Sequence, residues 1–361
     1  MNTISLEQRA NKAVANWIFL GVIMLLVQVV LGGVTRLTGS GLSITEWNVV
    51  TGALPPLNEQ QWQLEFNKYQ QTPQYRLLNT GFTLTDFKFI FFWEWFHRLW
   101  ARLIAVAFVV GFVYLLAKKY IKKDMVSPLL ILFLFGALQG AIGWIMVASG
   151  LTGDAVYVRP TRLAMHFVFA LALIAYAFWL GLRIKIPAQK RANHPSLYRW
   201  SWALTILLFV QLVFGALMAG HKAATAAPTW PTINGSWVPD GLLKEKPVML
   251  NFFENKITIH FVHRGLAYAL LILIIIYSVK VFQVKPVSVL FGQARRWPLI
   301  LVIIQVLLGI FSVLTSTGII PNRWGTFEWM AQLHQITGML LVLSLVAMLF
   351  LTRQPSFKQP S

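Results

Sequence analysis

The chain has 361 residues, of which 57% are hydrophobic and only 12% charged, too few charges to cover the apolar surface of a soluble protein of this size; lipid is the expected solvent. A formal net charge of +19 does not point to nucleic acid here, because Lys and Arg sit in short segments between apolar runs, where they fix membrane orientation. The absence of cysteine excludes disulfides, thiolate-held metals, iron–sulfur clusters and Cys nucleophiles.

Apolar stretches long enough to cross a bilayer lie at about 17–35, 89–117, 128–149, 161–181, 200–220, 257–280, 297–317 and 329–352. Backbone in hydrocarbon must bond to itself, so each is predicted to be a helix and the fold class an all-α integral membrane protein. The first run, from near Trp17, is too long for a signal-peptide core and no small-residue cleavage site follows it, so it is expected to be retained. The segment before it contains Glu7 and does not read as a mitochondrial transit peptide. This first helix carries Gln28 and Gly32, and the long segment 36–88 leads to a second bearing Glu94, His97 and Arg98. Gln139 and Gly143 fall on the third helix and His166 on the fourth. After a basic loop containing His194, the fifth carries Gln211 and Gly215, with His221 at its outer end. Segment 221–256 precedes the sixth helix, with His260, His263 and Arg264; Gln305 and Gly309 lie on the seventh and His334 on the eighth.

The order is a repeat. Every odd helix has Gln-x-x-x-Gly, which puts an amide and a close-packing notch on one face, and every even helix has a His near its start. The His separations are 69 residues (97 to 166) and 71 residues (263 to 334), so two four-helix units stand in tandem, 1–185 and 186–361, related by a shift of about 166. Segments 1–16, 118–127, 182–199, 280–296 and 353–361 hold 17 Lys/Arg and two acids, against 11 Lys/Arg and nine acids in the opposite loops 36–88, 150–162, 221–256 and 318–328. The positive-inside rule therefore places both termini in the cytoplasm and the two long loops outside, and a bacterial inner membrane is the expected location. All four histidines then lie roughly 8–12 Å below the external surface.

One His in a membrane helix often just hydrogen-bonds across helices, but four at repeated positions indicate function. Zinc would want three or four convergent ligands; two imidazoles on facing helices suit the axial positions of haem iron. Arg98 and Arg264 would either pair with haem propionates or snorkel to water. His194 is expected to be solvated, and His221 is a weaker candidate for cofactor contact. Three residues before the repeated His the halves differ: Glu94 in the first, His260 in the second. Glu94 shares a helix face with His97 and would serve proton transfer or stabilise a cation, or else form an i,i+4 salt bridge with Arg98. The asymmetry suggests that one half does chemistry and the other holds a resident cofactor.

At these residues the sequence resembles the haem A synthase family, over essentially the whole chain. The carriers are GGVTRLTGSGLSITEW (32–47), WEWFHRLWARLIA (93–105), PTRLAMHF (160–167), WPTINGSWVP (230–239), HRGLAY (263–268) and QLHQITGM (332–339). The resemblance implies an oxidoreductase that converts a methyl group of haem O to the formyl group of haem A by successive hydroxylations and loss of water. It implies a resident haem b on His263 and His334, and substrate haem O between His97 and His166 with Glu94 beside it. The implied partners are an unidentified electron acceptor and the farnesyltransferase that makes haem O. Some members of the family carry a cysteine pair in the first external loop; this chain lacks it, which excludes thiol-based electron transfer there and leaves segment 36–88 as a cover or a plain structural lid. The competing readings are a dihaem cytochrome b serving quinone electron transfer, and a haem exporter or chaperone.

Overall fold

A computed structural model describes residues 6–47, 51–320 and 323–353. The extremities of the predicted terminal segments, and residues 48–50 and 321–322, lie outside the described residues. The helices are α1 (Leu6–Leu37), α2 (Glu59–Gln70), α3 (Pro73–Leu78), α4 (Leu84–Ala117), α5 (Lys123–Ala148) and α6 (Pro160–Lys185) in the first half. The second half has α7 (Pro195–Gly220), α8 (Lys256–Gln283), α9 (Val289–Ala294), α10 (Trp297–Leu314) and α11 (Thr326–Thr352). Eight helices are long and apolar enough to span a membrane, α9 and α10 together forming the seventh, and the chain is a multi-pass membrane protein.

The ends are set by local chemistry. Thr83 and Asp86 form a reciprocal capping box on α4, with Asp86 Oδ2 accepting from Thr83 N at 2.9 Å. Pro160 and Pro195 open α6 and α7, where a missing N–H costs nothing. Asn255 Oδ1 accepts from Ile257 N and Thr258 N to start α8. His194, expected to be solvated, is instead the cap of α7, its Nδ1 accepting from Leu197 N at 3.3 Å. The helices begin earlier than the apolar runs because polar turns at the membrane surface continue them. The exception is the seventh, which is broken around Arg295 and Arg296 and resumes with Pro298 in its first turn.

Each half is a ring of four helices. In the first, α1 packs on α4 and α6, and α5 on α6; in the second, α7 packs on α8 and α11, and α10 on both α11 and α8. The halves join through α6, α7, α11 and α1, so these four are the interior helices and α4, α5, α8 and α10 the outer ones. α11 is the most enclosed, with 72% of its apolar window buried against 6% for α4. The joint is an apolar core including Leu171, Ile174, Leu204, Leu208, Ile274 and Leu345. Within it the buried hydroxyls of Ser201 and Tyr277 pair at 2.7 Å.

Candidate functional site

His97 and His166 stand on helices diagonal across the first ring (α4, α6), and His263 and His334 on the matching diagonal of the second (α8, α11). Each imidazole is seated in the glycine notch of the preceding odd-numbered span. A Cβ placed on Gly32 would stand 3.3 Å from His97 Nε2, and one on Gly215 would stand 3.2 Å from His263 Cε1. At Gly143 and Gly309 it would come within 2.8 Å of His166 Cε1 and 2.9 Å of His334 Cε1. These glycines provide room: any side chain there pushes the ring away.

The glutamines anchor the same helices. Gln28, Gln139 and Gln211 donate through Nε2 to the carbonyls of His97 (3.1 Å), His166 (3.1 Å) and His263 (3.0 Å). The fourth is reversed: His334 Nδ1 donates to the Gln305 carbonyl at 3.0 Å. That bond assigns the ring proton to Nδ1 and the lone pair to Nε2, where the Gln305 side-chain amide donates at 3.3 Å and would have to yield to a metal. The Oε1 atoms of all four glutamines are buried without a hydrogen-bond partner.

The rings of His263 and His334 have centroids 6.5 Å apart. An imidazole nitrogen sits roughly 2 Å from a ligated first-row metal, so two rings gripping one ion from opposite sides place their centroids roughly 6 Å apart. The separation suits a pair of imidazoles that would hold one metal ion between them. Among the described residues no three His, Asp or Glu converge on a metal position, which disfavours zinc. A single cavity of about 1210 Å³ touches all four histidines. That exceeds the roughly 300–1,000 Å³ of a pocket for one drug-sized ligand.

Glu94 is buried, lines this cavity and forms the i,i+4 bridge with Arg98, Oε1 accepting from Nη2 at 2.6 Å. Its Oε2 accepts from Ser43 N (2.7 Å), Ser43 Oγ (2.7 Å) and Ile44 N (2.9 Å). Three of the four donors converge on Oε2 and one on Oε1, so Glu94 is fixed by the segment between α1 and α4 and by Arg98. Arg98 donates onward to the carbonyls of Glu46 (2.9 Å) and Ile44 (3.1 Å). In the second half, Arg264 Nε donates to His260 Nε2 at 3.0 Å, and its terminal nitrogens bond the carbonyls of Thr229 (2.6 Å) and Thr232 (3.1 Å). Both arginines line the cavity, but their N–H groups hold the α1–α4 and α7–α8 connections down on the site. His221 lies apart, its Nε2 donating to the Phe253 carbonyl at 2.6 Å.

The sequence reading missed other cavity-lining groups: Arg36, Lys222, Arg323 and Glu328. Arg36 was findable, being four residues beyond Gly32 on one helix face. Lys222 was not, because a loop brings it there, with left-handed backbone (φ 50°) and its ammonium over the Tyr157 ring.

Residues 15–346 match the family model for the cytochrome oxidase assembly protein family COX15-CtaA. The chain is 40% identical over 317 residues to the Heme A synthase of Bartonella henselae, covering 87% of each chain. It is 41% identical over 322 residues to the Heme A synthase of Bradyrhizobium diazoefficiens, covering 88% of each. Its identity to the Heme A synthase of Paracoccus denitrificans is 39% over 324 residues, covering 85% of this chain and 82% of that protein.

Proposed function

Given that this chain belongs to the COX15-CtaA family of cytochrome oxidase assembly proteins, we propose that it is a haem A synthase, oxidising a methyl group of haem O to the formyl group of haem A. The observation that carries the reading is the pair of diagonal His couples, each seated in glycine notches and opening on one cavity. The C-terminal couple, His263 and His334, would hold haem b, whose chemistry is electron transfer. The N-terminal couple, His97 and His166, would grip the substrate haem O.

The protein's own part is placement and charge. Gln28 and Gln139 fix the backbone of His97 and His166, the two residues that would hold the substrate beside Glu94. Glu94 lies one turn nearer the outer surface than His97. Its negative charge, held by four donors before the substrate arrives, stabilises positive charge developing on the methyl carbon without reorganising. Proton acceptance at Oε2 requires that Ser43 or Ile44 release it, which makes the first external segment part of the site. Arg98 and Arg264 supply positive charge for propionates at the cavity rim while clamping the loops, and Arg36 and Lys222 add to that field. The location is a bacterial inner membrane with both termini cytoplasmic, in keeping with the Lys/Arg distribution. An electron acceptor and the haem O-producing farnesyltransferase are the partners.

The test is mass analysis of haem extracted from cells that make haem O and express the protein. Haem A should form with the wild-type chain and fail to form with His97→Ala or His166→Ala. Haem O left unconverted by the wild-type protein would overturn the proposal in favour of a dihaem electron carrier or a haem carrier.

A further inference from the structure

The two halves differ along one wall. In the second ring α8 and α10 pack together, so that the ring closes. In the first, α4 and α5 have no such backbone packing; they meet through Phe108 and Phe133, whose ring centroids are 6.0 Å apart. The repeat shift of 166 shows why. Where α10 has Val302, Ile303 and Val306, α5 has Gly136, Ala137 and Gly140, and where α8 has Leu271, α4 has Ala105. Val302 is buried, whereas Gly136, Ala137 and Gly140 are exposed.

Small residues in membrane helices usually let backbones approach closely. Gly136 and Gly140 do not: a Cβ on either would meet nothing within 4 Å, unlike one on Gly143 a turn further along. They line the same cavity as His97 and His166, and so do the exposed Ala101 and Ala105 across the gap. The cavity around the first His couple therefore runs out sideways, between α4 and α5, to the lipid-facing surface.

We propose that this cleft between α4 and α5 seats the isoprenoid chain of the substrate haem, with the porphyrin inside the ring and the chain leading out towards lipid. The inference rests on the assignment of haem O to the His97–His166 couple. Haem O differs from haem b by this long apolar chain, and the first ring differs from the second by a missing wall. Where the second ring closes on a haem without a chain, the first leaves an apolar exit beside the site. The cleft thus makes the first half selective for haem O, while Val302 and Val306 make the second selective for haem b. A chain that leaves water for lipid either way gains only packing from the cleft, so the selectivity is modest in size.

The experiment uses purified full-length protein carrying haem b on His263 and His334. Haem O or haem b is titrated in, and binding at the first couple is read from the low-spin difference spectrum that His97→Ala abolishes. The wild-type protein should take haem O about tenfold more tightly than haem b, a difference of about 1.4 kcal/mol. Gly136→Val/Gly140→Val, which installs the residues of the second ring, should remove that preference by weakening haem O alone and leave the resident haem b spectrum intact. Gly136→Ala/Gly140→Ala should give part of the effect, and decides the matter should the larger variant lose its resident haem. Undiminished haem O affinity in the valine variant, or in the alanine variant where that one decides, would overturn the cleft assignment and leave the function standing. Equal weakening of haem O and haem b would do the same, because the glycines would then be making room for the porphyrin. A wild-type protein that binds no haem O at the first couple would overturn the substrate reading, and the cleft with it.

Discussion

Glu94 and the notch glycines set the chemistry at the scale of single residues. Glu94→Gln keeps size and hydrogen-bonding capacity but removes the charge, and turns an amide donor towards either Arg98 or Ser43. The variant should keep haem b on His263 and His334, and should convert haem O about 10²–10⁴-fold more slowly. His260→Gln, at the equivalent position, should change conversion far less. Normal haem A yield from Glu94→Gln, measured by extraction at matched protein levels, would reduce Glu94 to a loop anchor. Its pair with Arg98 is buried, so breaking it costs more than an exposed helix pair, about 3–5 kcal/mol where one partner is left uncompensated. Gly309→Ala should push His334 off its seat and sharply lower bound haem b, with a spectrum distinct from that of His263→Ala, which removes a ligand outright.

At the scale of elements, the long connections before α4 and α8 are built parts of the site. The first is pinned to the start of α4 by an aromatic cluster in which Trp62 and Phe91 lie 5.1 Å apart, edge to face, and Phe66 and Phe87 5.2 Å apart. Tyr69 is buried there, accepting from Asn79 Nδ2 at 2.8 Å and donating to Gln74 Oε1 at 3.1 Å. Burial pushes its phenol up to about 12 from 10.0. A raised value favours the neutral form in the fold, so this contribution is complete below pH 10 and is lost as pH rises towards 12. Limited proteolysis should therefore leave the segment intact at neutral pH and cut it with rising pH across that window, and Tyr69→Phe should flatten this dependence. In the second half, Arg264→Gln should free the 227–232 stretch, and faster cleavage there alone is the expected sign.

For the whole molecule, the proposed orientation would put both His couples near the outer surface. Reporter fusions at Lys122, Lys190 and Lys285 should report cytoplasm, and those at Asn58 and Asp240 the outside. An inverted pattern would move the site to the cytoplasmic face and remove external cover as the purpose of the two long segments.

The sequence by itself determined the eight spans, the tandem repeat and the four histidines, because hydrocarbon forces helices and a His in a membrane span carries a desolvation cost that function must justify. It also determined that Glu94 breaks the repeat, and of the readings offered for it the i,i+4 bridge with Arg98 is formed in the fold. Only the tertiary structure decided what completes Glu94: Ser43 and Ile44 lie some fifty residues away, and no periodicity reports a loop that folds back on a helix. The same holds for Arg98 and Arg264, where composition fixes a charge but the fold decides which carbonyls receive its donors. The missing wall between α4 and α5 lies between these cases. Gly136 and Gly140 are plain in the chain, but a glycine in a membrane helix reads equally as a close contact or an opening, and only the packed helices separate the two.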